Sequence, residues 1–308
     1  MDRFDTIRLF TRIVERRSFT RAAQDLGLPR STVTEAIRQL ETRLGVRLLQ
    51  RTTRVVTPTL DGEAYYHRCL AILADIEDAE AAFGDTKPRG LLRIDVHGTL
   101  ARHFLMPGLA DFLERYPGLQ LHIGEGDRLV DLVREGIDCV IRTGDLQDSS
   151  MVARRVAMLA EATCANPAYL ARHGVPATPD DLEGHRMVGF VSSATGSVMP
   201  LEFQVDGTIR HVSLPTALTV TGSEALFGGA LAGLGLIQVP RYHLLPYFAD
   251  GRLIEVLPAH PPTPTPVSLL YPQNRQLSPR VRVFIDWVAR SFADWADAGV
   301  ISRSPGPA

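Results

Sequence analysis

From Thr20 to Leu44 the chain runs TRAAQDLGLPRSTVTEAIRQLETRL, and its apolar positions predict two helices joined by a tight turn. Ala22, Ala23 and Leu26 give a short helix one apolar face. Gly27 suits the left-handed backbone that ends a helix, and Leu28-Pro29 restarts the chain in a new direction. Val33, Ile37, Leu40 and Leu44 then recur at spacings of three and four, which predicts a second helix with these side chains inward. Arg30, Ser31, Thr34, Glu35 and Arg38 are left together on the opposite face, with Thr32 beside them in the first turn. A short helix, a glycine turn and a helix with a polar outer face fit a helix-turn-helix, whose second helix can enter a DNA major groove. The same pattern also fits an ordinary helical hairpin with a solvated face.

The flanking segments weigh against the plainer alternative. Upstream, Phe4, Ile7, Phe10, Ile13 and Val14 mark the packing stripe of a helix over about Asp5 to Arg16. Downstream, Val46, Leu48 and Leu49 and then Val55 and Val56 predict two short strands around an Arg-Thr-Thr-Arg turn. Arg47, Arg51 and Arg54 along this wing suit phosphates or a minor groove. From Thr59 a longer helix is expected, with Tyr66, Cys69, Leu73, Ile76 and Phe83 as its apolar seam and Asp75, Glu77, Asp78 and Glu80 on its outer face.

Thr86-Lys87-Pro88-Arg89-Gly90 breaks that helix, and beyond it strand and helix patterns alternate. The expected series is strand Leu91–Val96, helix Leu100–Arg115, strand Leu119–Ile123, helix Leu129–Glu135 and strand Cys139–Arg142. Such an order predicts a mostly parallel sheet with helices on its faces. A second series begins near Glu161 and runs to about Pro266. Val267–Tyr271 and a helix over Ser278–Trp295 then return to the first lobe, and Ser302–Ala308 is expected to be disordered. The predicted class is α/β, divided into a DNA-binding domain over 1–58, a linker helix over 59–87 and a body over 88–300. Lobe I takes about 88–160 and 267–300, lobe II about 161–266, and 301–308 is the tail.

The overall charge of −2 argues against a nucleic-acid partner until its distribution is considered. Residues 1–60 hold twelve arginines against six acids, a net of +6, which leaves −8 for the remainder. A cationic module on an acidic body is the expected result, and arginine suits bidentate contacts with phosphate and guanine. Cys69, Cys139 and Cys164 have no metal-like spacing; Cys139 and Cys164 are expected in the core, and Cys69 on the seam of the linker helix. No apolar run reaches membrane-spanning length, so a cytoplasmic protein without a membrane partner is expected.

Phe19-Thr20-Arg21-Ala22-Ala23, Leu28-Pro29-Arg30-Ser31-Thr32-Val33-Thr34, Ala36-Ile37-Arg38, Leu40-Glu41, Leu44-Gly45-Val46-Arg47-Leu48-Leu49, Arg51, Arg54 and Thr59-x-x-Gly62 resemble the N-terminal signature of the LysR-type transcriptional regulators. The resemblance implies an N-terminal winged helix-turn-helix domain, all-α apart from its wing, and a two-lobed, periplasmic-binding-protein-like effector domain. It implies pairing of linker helices in a homodimer or homotetramer, double-stranded operator DNA as partner, and RNA polymerase at activated promoters. Position 35 departs from the relatives' usual basic residue: Glu35 either accepts from cytosine N4 or pairs with Arg38 or Gln39, and the pairing is favoured.

A small-molecule effector would sit between the lobes at strand ends and helix starts. Gly98-Thr99, Arg142-Thr143, Ser192-Ser193 and Gly222-Ser223 occupy such positions, although each hydroxyl also suits a helix cap or turn. Arg142 would favour a carboxylate effector, or it braces the cleft or a subunit interface. No cofactor and no metal are expected. An enzyme is not expected, since nucleophile elbow, P-loop and HExxH motifs are absent. A solute-binding protein is the remaining alternative, and it leaves the arginine-rich head unexplained.

Overall fold

Local chemistry accounts for the first five elements. The computed structural model describes residues 1–51, 56–81, 88–126, 132–144, 151–272, 277–297 and 301–303. Helix α1 (Arg3–Arg16) opens on a capping box in which Asp2 and Asp5 each accept the other's backbone N–H. Helix α2 (Phe19–Asp25) begins at Ser18, whose hydroxyl accepts from the Arg21 N–H. Gly27, at φ 63°, makes the turn to α3 (Arg30–Leu44), which ends on left-handed Gly45. Leu9, Phe10, Ile13, Phe19, Ala22, Val33, Ile37 and Leu40 close one core. Phe4 and Leu44, expected inward, are 50% and 41% exposed, because each lies in a terminal turn beyond the contact of the three helices. Strands β1 (Leu49–Arg51) and β2 (Val56–Pro58) pair antiparallel, so the head is helical with the expected two-stranded wing.

Helix α4 (Leu60–Ala81) packs its first turns on the head. Cys69 is fully buried in the head core, and the Tyr65 ring meets Phe10 at 5.2 Å. The expected dimer seam is therefore split. Cys69 and half-buried Tyr66 face the chain's own α1 domain, while Leu73 and Ile76 are half-buried further along and Phe83 lies outside the described residues.

The body follows with β3 (Gly90–Val96), α5 (Gly98–Leu100), a π-helical turn over Ala101–Leu105, α6 (Met106–Arg115), β4 (Leu119–Glu125), α7 (Leu132–Glu135), β5 (Cys139–Thr143) and β6 (Met151–Leu159). The second lobe contains β7 (Glu161–Ala165), α8 (Pro167–His173), β8 (Met187–Phe190), β9 (Leu201–Val205), β10 (Thr208–Val212), β11 (Thr216–Val220), α9 (Ser223–Leu231), β12 (Ile237–Pro240), α10 (Arg241–Ala249) and β13 (Ile254–Val256). The chain returns through β14 (Thr265–Pro272), α11 (Pro279–Asp297) and β15 (Ser302–Arg303).

The first-lobe sheet has the order β15-β6-β14-β5-β3-β4. It is mixed, not mostly parallel: β3 pairs parallel with β4 and β5, but β14 arrives from the second lobe in the opposite direction and pairs antiparallel with β5 and β6. Strand β6 was not expected, since exposed Arg154 and Arg155 interrupt its apolar pattern. Helix α10 carries Pro246 inside it, which hides its periodicity. The expected disordered tail is corrected at its start, where Ile301 is buried and Ser302–Arg303 pair with β6. In the second lobe β7 lies between β12 and β13, and a Met187–Leu236 bridge links the β8–β11 pair to β12.

Candidate nucleic-acid interface and effector cleft

Helix α3 presents the polar face that its spacing requires. Arg30, Ser31, Thr32 and Arg38 are exposed, and Thr34 and Glu35 are half-buried. Pro29 precedes the helix and makes no side-chain cap bond, so the first-turn amides of α3 receive no cap from it. Glu35 accepts from Arg38 Nε (3.0 Å) and Nη2 (2.9 Å) and from Gln39 Nε2 (2.9 Å). The bonds from Arg38 and then Gln39 hold its carboxyl below the usual range. Glu35 thus caps its own neighbours on the helix.

Several residues that carry no signal of their own in the pattern position this surface. Asp25 ties α2 to α1 by accepting from Arg16 (2.6 Å) and facing Arg12 (3.6 Å), so these two arginines act as scaffold. Glu41 Oε1 accepts the N–H groups of Leu48 (2.8 Å) and Leu49 (3.1 Å), which fixes the wing to α3. Arg47 is exposed, and its carbonyl accepts from the Thr59 hydroxyl. Arg51 closes β1 opposite Val56, and Arg54 lies outside the described residues.

Between the lobes is a cavity of about 600 Å³, lined by Gly98, Glu125 and Gly126 on one side and Val220 to Ala225 on the other. Of the eight expected effector residues it brings together Gly98, Gly222 and Ser223. Thr99 turns away: its buried hydroxyl accepts from Tyr242 (3.0 Å) and meets His97 Nδ1 at 2.8 Å. Arg142 forms an ion pair with Asp95 inside the first lobe and is not among the residues that line the cavity. Thr143 pairs with Val267 at the end of β5. Ser192 and Ser193 belong to a turn closed by the Val191–Val198 bridge, in which Ser192 Oγ accepts from Ala194 N–H. The glycine step at Gly98 is also taken, since a Cβ placed there would lie 3.0 Å from Glu125 Oε2. Sequence reasoning missed Glu125 and Glu224, which give the cavity an acidic rim.

An aromatic cluster joins His103 of the first lobe to Tyr242, His243 and Phe227 of the second. His103 meets Tyr242 at 5.1 Å and His243 at 5.4 Å, and His243 packs on Phe227 at 4.3 Å. Burial first, and then His103, Arg102 and His97, push His243 down to about 4. Its unfolded imidazole protonates near the ordinary value while the folded one resists, so its contribution is lost as pH falls from about 6.5 toward 4. Glu161, where the chain crosses between lobes, acts in the opposite sense: burial pushes it up to about 8, so acidification favours the fold there. The two contributions oppose each other, and the expected signal lies in a comparison. Lowering the pH from 7 to 5 should stabilise His243→Phe relative to wild type by about 2 kcal/mol. Parallel urea-melt profiles for the two proteins would contradict this.

Two family models match this arrangement: "Bacterial regulatory helix-turn-helix protein, lysR family" over residues 4–63 and "LysR substrate binding domain" over residues 85–293. The chain belongs to the LysR family. This LysR-type regulator is 40% identical to the HTH-type transcriptional regulator YhjC of Escherichia coli, over 96% of this chain and 100% of the relative. It is 36% identical to an HTH-type transcriptional repressor of Pseudomonas aeruginosa, over 96% and 93% of the two chains. Its structure is similar to that of CrgA, a LysR-type transcriptional regulator from Neisseria meningitidis, with a TM-score of 0.58, 30% identity and coverage of 94% and 98%. The solute-binding alternative is not supported, since the head and the body both match the regulator family. Among the described residues of this LysR-type regulator, no helix is long and apolar enough to cross a membrane.

Proposed function

We propose that this LysR-type regulator reads operator DNA in the cytoplasm through α3, and that a small molecule between its lobes changes the placement of two reading heads. The exposed face of Arg30, Ser31, Thr32, Thr34 and Arg38 beside an arginine-bearing wing carries this reading. Residues 1–58 form the head, 59–87 the linker, and 88–300 the effector domain. Arg30, Ser31, Thr34 and Arg38 on α3 read the major groove, while Arg47, Arg51 and Arg54 of the wing hold phosphates. Leu73 and Ile76, beyond the part of α4 that packs on the head, pair the linkers in a homo-oligomer. RNA polymerase is the further partner at activated promoters, and no reaction is catalysed. The acidic rim of Glu125 and Glu224 favours an effector that presents hydrogen-bond donors.

The test is fluorescence anisotropy with the DNA beside the protein's own gene and a scrambled duplex, across a salt series. Tight, salt-sensitive binding to the first duplex is expected. Arg51→Ala should weaken binding to both duplexes and lower the salt slope by about one unit. Ser31→Ala and Thr34→Ala should instead reduce the preference between duplexes, by about 1 kcal/mol or more each. Equal losses on both duplexes for all three variants would overturn these roles.

A further inference from the structure

A second cavity, sharing no lining residue with the cleft, lies where the linker helix meets the first lobe. Ala71 and Ile72 of α4 form one wall, and Leu132, Ile137 and Pro272 form the other. The two walls approach closely at Gly136, at φ +66°, where a Cβ would lie 3.1 Å from the His67 carbonyl of α4. The cavity volume is about 230 Å³. An apolar cavity of about 150 Å³ is enough to hold benzene, so this one accommodates a single ring or a short chain. Ile72, on the cavity wall, is 41% exposed in the single chain. Arg68 lies one helical turn before Ile72, on the same face of α4 and on the rim. It is exposed and makes no ion pair among the described residues.

We propose that this cavity is a second ligand site, for a small amphipathic monocarboxylate with one aromatic ring or a short alkyl chain. The apolar walls take the ring or chain, and the guanidinium at the rim selects an anionic head over a neutral or cationic one. One wall belongs to the helix that carries the DNA-binding head and the other to the effector domain. A ligand here acts directly on the seat of α4, and its coupling to DNA binding is independent of occupancy of the cleft.

The test is a titration of the full chain, labelled at Ile and Val methyls, with hexanoate and with uncharged 1-hexanol, followed by NMR. Hexanoate should shift Ile72 and Ile137 saturably and leave Val220 of the cleft unmoved. Arg68→Gln should weaken hexanoate binding about fivefold and leave hexanol within about twofold. Ile72→Trp should fill the cavity and abolish binding of both probes, and Ala71→Leu provides the same filling with a smaller change should the first variant not fold. Shifts confined to Val220 would place the probe in the cleft and overturn the proposal, as would unchanged hexanoate affinity in Arg68→Gln. Protection of Ile72 that grows with protein concentration and resists hexanoate would show a second copy of the chain in the cavity and would equally overturn it. Because binding is read at the methyls, failure of this site is distinguishable from failure of the DNA-reading role, which anisotropy reports.

Discussion

Asp138→Ala is expected to destabilise the effector domain by about 3–5 kcal/mol, because it breaks a buried ion pair with Arg280. Arg280, 2% exposed at the start of α11, donates to Asp138 Oδ1 at 3.4 Å, and Asp138 Oδ2 accepts the Arg93 N–H at 2.9 Å. One carboxylate thus joins the approach to β5, the strand β3 and the returning helix α11. Its removal breaks the ion pair and takes the acceptor from a backbone donor, whereas removing both charges relieves most of the penalty. Urea unfolding of the effector-domain transition should show the full loss in Asp138→Ala and a substantial recovery in the Asp138→Ala/Arg280→Met double variant. A single-variant loss below about 1 kcal/mol would mean that the pair does not hold the lobe.

Gly62→Ala should be nearly as damaging, at about 3 kcal/mol, through steric conflict instead of charge. A Cβ at Gly62 would lie 1.9 Å from the Leu48 carbonyl oxygen and 2.9 Å from its carbon, and both are backbone atoms. The same carbonyl accepts the Thr59 N–H at 2.9 Å, while the Thr59 hydroxyl accepts from Gly62 N–H at 3.0 Å and donates to the Arg47 carbonyl at 2.7 Å. The first turn of the linker helix is therefore locked onto the start of the wing. The variant should lose head stability and operator binding together, read by urea melts and by anisotropy. Retention of both would show that the contact relaxes at little cost.

The head was legible because its determinants are local. The spacing of Val33, Ile37 and Leu40, the turn at Gly27 and the arginine-bearing wing each depend on residues within a few positions of one another. The body was legible in its elements but less so in its sheet. Strand β14 reads correctly as a strand, yet its antiparallel pairing with β5 and β6 depends on the direction in which the chain returns from the second lobe. Cys69 shows the same limit on a helix. Its place in an apolar seam is evident from spacing, but whether that seam faces another subunit or α1 depends on how the head is docked.

The candidate cleft shows where local pattern stops deciding. Glycine, serine and threonine at strand ends announce positions where a ligand can approach, and Gly98, Gly222 and Ser223 do line one cavity. Which polar groups remain available there depends on partners far along the chain. Arg142 is neutralised by Asp95, 47 positions away, and the Thr99 hydroxyl is engaged by Tyr242, 143 positions away. The sequence alone determined the family, the helices of the head and most of the body's elements, because periodicity, caps and turns act between near neighbours. Only the tertiary structure decided sheet direction, the facing of α4 and the chemistry left open in the cleft, because hydrogen bonds and ion pairs between distant residues settle those.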